Sequence, residues 1–209
     1  MNTPAPRAPA GLRELKKQRT RAGIASTALE LFLARGFDDV TVAEIARAAE
    51  VSEATVFNYF RTKEDLVFHR LEGFWTNLIG AVEHRPEGEG VVSAVEGFLL
   101  GSEPTALAPE REKQVADINR MIAASPALRA REAASYDQAA SALAEVIAAT
   151  TSLRDDAAAA AQMILGVHRS LVAYTREQVL AGANGKTLAR RTAARTRSGY
   201  ALLRQGLDL

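Results

Sequence analysis

Residues 41 to 66 read Thr-Val-Ala-Glu-Ile-Ala-Arg-Ala-Ala-Glu-Val-Ser-Glu-Ala-Thr-Val-Phe-Asn-Tyr-Phe-Arg-Thr-Lys-Glu-Asp-Leu, and this stretch decides the fold. Thr41 with Glu44, Ser52, and Thr62 with Asp65 are helix caps, so three short helices begin in quick succession. The apolar residues between the caps show no strand-like alternation. Two short helices joined by a tight turn, with a third starting at once, are the layout of a helix-turn-helix, whose second helix lies in the major groove of DNA.

The rest of the chain also has the spacing of helices, so we predict an all-α fold. Apolar residues predict a helix over residues 12–35, and Gly36 would end it in a left-handed cap. A long helix follows over residues 63–83. Five more helices are predicted at residues 91–101, 109–123, 126–149, 155–181 and 187–205. The predicted architecture is a flexible arm (residues 1–11), a small helix-turn-helix domain (residues 12–62) and, joined by the long helix, a larger helical domain (residues 63–209).

The composition limits the cellular setting. The 209 residues include no cysteine, which excludes disulfides and thiolate chemistry and fits a reducing compartment. Residues 1–11 contain three prolines and lack the apolar core of a signal peptide. No uncharged run approaches the ~20 apolar residues of a membrane span. We therefore expect a soluble cytoplasmic protein without a membrane partner.

Basic residues cluster at the two ends of the chain, although the formal net charge is only +1. Six Lys or Arg and one acid lie between Arg7 and Arg21. Residues 186–205, which are the predicted last helix and Lys186 directly before it, carry six Lys or Arg and no acid. In the first cluster, Lys17 and Arg21 are candidates for contact with DNA phosphates or with the minor groove. A merely solvated basic face is the equally weighted alternative.

Two other classes of protein are poorly supported. The three histidines are scattered, and neither a metal-binding spacing nor a Gly-rich phosphate loop occurs, so we expect no enzymatic activity, metal or cofactor. A sequence-tolerant architectural DNA binder would need a broad basic face. Residues 38–65 carry seven acids, which disfavours that class.

Residues 21–66 resemble the N-terminal domain of the TetR/AcrR family of bacterial repressors. The positions that fit the family's pattern are Ile24, Ala28, Leu31, Phe32, Gly36, Thr41, Val42, Ile45, Ala46, Ala49, Val51, Ser52, Thr55, Phe57, Tyr59, Phe60, Lys63, Glu64 and Leu66. The resemblance implies a homodimer with paired heads on a near-palindromic, double-stranded DNA operator. It also implies that residues 63–209 dimerise through the last two helices and bind a small-molecule effector that releases the DNA. An activator on the same fold is the alternative to a repressor.

The resemblance also assigns the DNA contacts. The candidates are Thr41, Ser52, Glu53, Ala54, Thr55, Asn58, Tyr59 and Lys63. Asn58 is suited to a contact with adenine, and Tyr59 and Lys63 to contacts with backbone phosphates. For the three hydroxyl residues at positions 41, 52 and 55, the alternative role is a cap or a structural hydrogen bond.

Departures from the family's pattern fall in the second short helix. Phe57 stands where the family usually has tyrosine, and Tyr59 where it usually has histidine. Because Phe57 lacks a hydroxyl that could bind a phosphate, we assign it mainly to packing. Glu53 stands where many relatives have a basic or neutral residue. Its carboxylate would either accept a hydrogen bond from a cytosine amino group or repel the phosphates of non-target DNA.

The effector pocket is predicted less sharply. Its candidate residues are Trp75, Phe98, Asn119, Met121, Tyr136, Gln162, His168 and Tyr174, each of which is also suited to the core. Residues 119–132 weakly resemble a subgroup that senses acyl-CoA-like ligands. Small residues in the last two helices, among them Ala161, Gly166 and Gly199, allow close helix approach, as a dimer interface requires.

Overall fold

In the computed structural model, the described residues are 11–102, 109–183 and 185–206. They contain ten helices and no strand, which confirms the predicted all-α fold. The helices are α1 Leu12–Arg35, α2 Val42–Ala48, α3 Glu53–Tyr59, α4 Lys63–Val67, α5 His69–Glu83, α6 Val91–Ser102, α7 Pro109–Ala124, α8 Pro126–Thr150, α9 Ala157–Leu180 and α10 Gly185–Gln205. None of these helices is long and apolar enough to cross a membrane. The predicted arm lies outside the described residues except for Gly11.

The chain forms two compact units that divide between His69 and Arg70. We call residues 1–69 unit 1 and residues 70–209 unit 2. Unit 1 contains α1 to α4, and unit 2 contains α6 to α10 together with α5 apart from its first residue. The functional roles given to residues 12–62 and 63–209 stay predictions.

Unit 1 is held together by a small apolar core and by helix caps. All four of its helices contribute to the core, whose fully buried members include Ile24, Ala28, Phe32, Val40, Ile45, Val56, Phe60 and Leu66. Thr41 and Thr62 form complete capping boxes, and the Ser52 hydroxyl accepts from the backbone N–H of Thr55. All three caps lie where the sequence predicted them.

The end of α1 differs from the predicted left-handed cap. Gly36 donates its N–H to the Phe32 carbonyl at 2.8 Å, but its φ of 96° and ψ of 152° lie outside the left-handed helical region. This combination of angles is open almost only to glycine, because a side chain would collide with the backbone. Gly36 therefore leads the chain away from α1 in an extended conformation.

The predicted helix over residues 63–83 is divided in two. Phe68 separates α4 from α5 with a φ of −93° and a ψ of 10°, values that a residue at a helix end commonly takes. Its ring is buried, and so is the side chain of Leu66 two positions earlier. Residues two apart on a helix face different directions, so the burial of both favours a break at this point.

Unit 2 is built on one apolar core that α5, α6, α8, α9 and α10 share. Its buried members include Trp75, Leu78, Val82, Val95, Leu143, Ile147, Ile164, Leu165 and Tyr200. Helices α9 and α10 approach closely at Gly199, where an added Cβ would lie only 2.8 Å from the Val167 side chain. At this position the small residue serves packing within the chain.

Candidate DNA-reading surface and effector cavity

A tight turn presents α3. The turn contains Glu50, which takes a φ of 55°, and the Val51 N–H donates to the Ala46 carbonyl at 2.9 Å. Ser52 then caps α3. The turn and the cap together fix the direction in which α3 leaves α2.

One face of α3 is buried and the opposite face is exposed. Val56 is buried, and Phe60, directly after the helix, closes the same face. The exposed residues are Ser52, Glu53, Ala54, Phe57 and Asn58. Small and polar side chains that stand out from a short helix after a tight turn have the arrangement that reads base edges in the major groove.

Phe57 does not pack as predicted, because its side chain is 51% exposed. The reason is helical geometry. Val56 and Phe60 occupy the buried face at positions i and i+4, so the residue after Val56 points about 100° away from that face. An exposed ring can contact a thymine methyl group, which adds Phe57 to the candidate DNA contacts. The spacing of the two buried residues was the signal in the sequence that could have shown this.

The candidate hydroxyl groups have partners within unit 1. Thr41 Oγ1 donates to the Glu44 carboxylate at 2.9 Å and accepts from the Glu44 N–H at 3.2 Å. The Thr41 backbone N–H and then the Arg35 guanidinium, 2.8 Å away, lower the pKa of Glu44 to about 2. Ser52 Oγ lies 2.8 Å from Thr55 Oγ1. These hydroxyls complete caps, and their contact with DNA stays a prediction.

The Lys63 ammonium points into unit 1. Its Nζ donates to the backbone carbonyls of Phe37 at 2.8 Å and Val40 at 3.1 Å, and it lies 4.2 Å from the centroid of the Phe37 ring. Lys63 therefore ties α4 to the loop after α1, a structural role that the sequence analysis did not foresee. Its predicted phosphate contact stays a prediction.

The remaining candidates of unit 1 differ in exposure. Lys17 is exposed on α1, and Tyr59 is half-buried at the end of α3. The Arg21 guanidinium lies 5.2 Å from the centroid of the Phe60 ring. Arg21 therefore contacts the end of α3, whereas Lys17 stands away from any described ring.

Unit 2 contains a cavity of about 270 Å³. Its walls come from α5, α6, α7, α9 and α10, and the lining residues are Phe74, Leu99, Asn119, His168, Leu171, Val172, Thr175, Arg176, Thr192 and Thr196. Apolar walls with a few polar groups are typical of sites for small molecules.

Arg176 is the charged group of the cavity wall, and a carboxylate balances its charge. Its two Nη atoms donate to the two Glu132 carboxylate oxygens at 3.1 and 2.6 Å, and its Nε donates to Asn119 Oδ1 at 3.0 Å. Both side chains of the ion pair are only 18% exposed. The three residues hold one another in place, so the polar end of the cavity is a fixed group without net charge.

His168 contributes a neutral ring to the same wall. Its Nδ1 lies 3.0 Å from the Tyr136 hydroxyl, and its ring stacks on that of Phe74 with centroids 5.3 Å apart. Burial lowers the pKa of His168 to about 4, and burial raises the pKa of the Tyr136 phenol. Both side chains are therefore uncharged near neutral pH.

The predicted pocket residues divide into three groups. Asn119 and His168 line the cavity. Trp75 and Tyr136 lie behind His168, with ring centroids 5.3 and 5.7 Å from its ring, and the buried Trp75 indole N–H has no hydrogen-bond partner among the described residues. Phe98 lies in the same layer of rings, next to a lining phenylalanine.

The remaining three predicted pocket residues do not line the cavity either. Gln162 is exposed on α9, whereas Ala161, Ile164 and Leu165 beside it on the helix are buried. The Arg195 guanidinium lies over the Tyr174 ring, 4.5 Å from the centroid of that ring. Met121 is half-buried on α7.

Most of the cavity's residues on α9 were not among the predicted pocket residues. His168, Val172, Thr175 and Arg176 follow one another at helical spacing, and such a mixed polar stripe on a helix rich in apolar residues was a readable signal. The partners of Arg176 lie 44 and 57 positions away in the chain, which no spacing rule could have shown.

Comparison with known proteins agrees with this geometry. The family model for bacterial regulatory proteins of the tetR family matches residues 24–69, the part of unit 1 that holds the caps and α3. Residues 24–69 therefore form a TetR-family domain. That family consists of DNA-binding transcriptional regulators. The transcriptional regulator TcmR of Streptomyces glaucescens is 40% identical to this chain over 87 residues, which are 42% of this chain and 38% of TcmR. The chain spans less than half the length of the curated relatives it matches.

Two solved structures share the fold of this one. The fatty acid degradation regulator FadR of Bacillus halodurans has a TM-score of 0.54 at 18% identity, covering 90% of this chain and 96% of that one. The TetR-family repressor FadR of Thermus thermophilus, solved in complex with lauroyl-CoA, has a TM-score of 0.51 at 23% identity, covering 90% and 95% of the two chains. At these identities the similarity concerns the fold alone.

Proposed function

We propose that this TetR-family protein is a homodimeric transcriptional repressor that binds a near-palindromic DNA operator and leaves it when a small molecule occupies the cavity of unit 2. The observation that carries the proposal is the exposed face of α3, where Asn58 and Phe57 stand beside Ser52, Glu53 and Ala54. The side chains of this face can hydrogen-bond or contact base edges, and phosphate contacts from Tyr59 and the basic residues of α1 would hold the helix in place.

Exposed apolar residues on α9 and α10 support the dimer. Met163 is 52% exposed and Leu202 is 50% exposed. On α9, Met163 lies at helical spacing with exposed Gly166 and Ser170, so a small-residue face is open to a second copy of the chain. Two chains paired in this way would place two α3 helices on the two halves of an operator, as half-sites one helical turn apart require.

The cavity supports control by a small molecule. It combines apolar walls with a few fixed polar groups, as effector sites do. An effector changes DNA affinity only if it binds the DNA-free state more tightly than the DNA-bound state. The sequence resemblance suggested an acyl-CoA-like effector, and a small, largely apolar molecule is the other candidate. An activator would use the same surfaces, and only a transcription assay separates it from a repressor.

The test is fluorescence anisotropy with labelled DNA from the flank of the protein's own gene, at fixed salt, against a scrambled duplex. Specific binding should exceed binding to the scrambled duplex by ~10³ or more. Asn58→Ala should weaken specific binding by about 1–3 kcal/mol, because one bidentate base contact contributes that much to discrimination. Asn77→Ala is the matched control, since Asn77 is an exposed asparagine on α5 in unit 2. Equal binding of the two duplexes, or an Asn58→Ala protein as tight as the control, would contradict the proposal.

A further inference from the structure

The size of the unit 2 cavity restricts its occupant. A volume of about 270 Å³ is slightly below the ~300 to 1,000 Å³ that ligand sites usually offer. An acyl-CoA, with its nucleotide, its long pantetheine arm and its acyl chain, is several times larger than this space. The cavity therefore fits a compact molecule of one or two rings better than an acyl-CoA.

The charges around the cavity favour an uncharged occupant. Arg176 already holds both oxygens of the Glu132 carboxylate, and both groups are largely buried. A ligand carboxylate would have to share one guanidinium with Glu132, so two like charges would meet in a poorly solvated place. A ligand cation would face the guanidinium. Neither ion would find an unmatched counter-charge in the wall, and burying an unmatched ion is costly.

The polar groups that remain are suited to hydroxyl and carbonyl groups. The hydroxyls of Thr175 and Thr192 lie 3.4 Å apart at the cavity wall, and each can both donate and accept. The His168 ring is neutral, so its Nε2 can serve as either donor or acceptor, depending on the tautomer set by Tyr136. These groups can pair with an uncharged polar ligand without breaking the ion pair.

The apolar part of the wall is suited to a flat ring. The rings of Phe74 and His168 stack on each other at the wall, and Leu99, Leu171 and Val172 complete it. Aromatic ligands pack against such rings in offset or edge-to-face contacts. We propose that the cavity of unit 2 binds an uncharged, compact aromatic compound that carries hydroxyl or carbonyl groups. The inference rests on the proposed function, of which it names the effector class.

The experiment is isothermal titration calorimetry of the full chain with 2-naphthol, 2-naphthoate and lauroyl-CoA near pH 7. The two naphthalene compounds share their rings and differ in charge. We expect one 2-naphthol per chain and at least ~10-fold weaker binding of 2-naphthoate, because the unmatched carboxylate costs more than ~1.4 kcal/mol. Lauroyl-CoA should not compete with 2-naphthol.

Two variants test the placement of the ligand. In Glu132→Gln, the guanidinium of Arg176 is no longer balanced, so 2-naphthoate should bind ~10-fold more tightly while 2-naphthol changes little. Glu145→Gln is the matched control, since Glu145 is exposed on the same helix. Val172→Phe fills the cavity and should abolish 2-naphthol binding. Thermal unfolding followed by circular dichroism shows that each variant is folded, and the wild-type comparison of the two ligands stands without the variants.

Several results would overturn the inference. They are 2-naphthoate binding as tightly as 2-naphthol, no 2-naphthol binding at millimolar concentration, 2-naphthol binding that survives Val172→Phe, or displacement of 2-naphthol by lauroyl-CoA. DNA anisotropy on the same preparation separates this inference from the proposed function. If the protein binds the operator but not 2-naphthol, the proposed function stands and the proposed effector class is wrong. If it binds 2-naphthol but not the operator, the assignment of the cavity stands and the proposed function is wrong.

Discussion

The two units place their functional groups in opposite ways. In unit 1 the candidate base contacts stand on the exposed face of α3, a seven-residue helix. Its cap, Ser52, accepts from the N–H of Thr55, only three positions later. In unit 2 the cavity brings together Asn119, Glu132 and Arg176, which lie on three helices and up to 57 positions apart. The first site is therefore made by neighbours in the chain, and the second by packing.

This difference sets what a substitution should do in each unit. An exposed side chain such as Asn58 can be shortened at little cost to stability, so its loss should appear mainly in binding. The buried groups of the cavity hold charges and hydrogen bonds that water cannot replace, so their loss should appear mainly in stability. Substitutions in the cavity should therefore have the largest effects on stability, and they are the strongest test of this comparison.

The largest effect is expected for Arg176→Met. Removing the guanidinium leaves the Glu132 carboxylate largely buried without its partner, which should lower the free energy of unfolding by about 3–5 kcal/mol. The double variant Arg176→Met/Glu132→Leu removes both charges and should recover most of that loss. Urea unfolding followed by circular dichroism measures both. A single variant as stable as the wild type, or a double variant no better than the single, would show that the ion pair is not buried in solution.

The next effect is a pH dependence that His168 gives to unit 2. The unfolded chain binds a proton at this side chain near pH 6.5, but the folded chain does so only near pH 4, because burial lowers the pKa. The unfolded state thus takes up the proton first as pH falls, so stability is lost between pH 6.5 and 4, by up to about 3 kcal/mol.

Comparison of His168→Gln with the wild type isolates this contribution. The glutamine can still hydrogen-bond the Tyr136 hydroxyl but does not titrate, so the variant should lose less stability from pH 7 to pH 4 than the wild type does. His84→Gln is the matched control, because His84 is exposed at the end of α5. Parallel pH profiles of wild type and His168→Gln would mean that His168 is solvated in the folded state.

The sequence was sufficient to predict the local features of the molecule. Thr41, Ser52 and Thr62 were identified as caps because a cap needs only a short polar side chain and a backbone N–H two or three positions later. The caps also located α3, whereas its candidate DNA contacts came from the family resemblance. The prediction for Phe57 was wrong, because it relied on that resemblance and not on the i and i+4 pair Val56 and Phe60, which leaves the Phe57 ring exposed.

The cavity could be predicted only in part. His168 and Asn119 were among the polar residues predicted to line a pocket, and both do line the cavity. Gln162 was predicted with them, yet it is exposed, since composition alone does not tell which face of a helix packs inward. The pairing of Arg176 with Glu132 depends on how α8 and α9 pack, so it was visible only in three dimensions.

Lys63 is an exception to this comparison, because it makes a long-range contact within unit 1. Its ammonium donates to carbonyls 23 and 26 positions away and lies over the Phe37 ring. Lys63→Met keeps the length of the side chain but removes these hydrogen bonds, so the free energy of unfolding should fall by about 2 kcal/mol. Lys16→Met is the matched control, since Lys16 is an exposed lysine on α1, and it should change stability by less than about 0.5 kcal/mol.

The salt dependence of DNA binding separates this structural role from the phosphate contact predicted for Lys63. A lysine that neutralises a phosphate contributes about 0.9 to the slope of log affinity against log salt, and its removal lowers the slope by that amount. If Lys63 is turned inward in the complex as it is in unit 1, Lys63→Met lowers stability and leaves the slope unchanged. A reduced slope with unchanged stability would mean that the ammonium leaves the two carbonyls for the DNA backbone, and the fold of unit 1 would then rest on its caps and core alone.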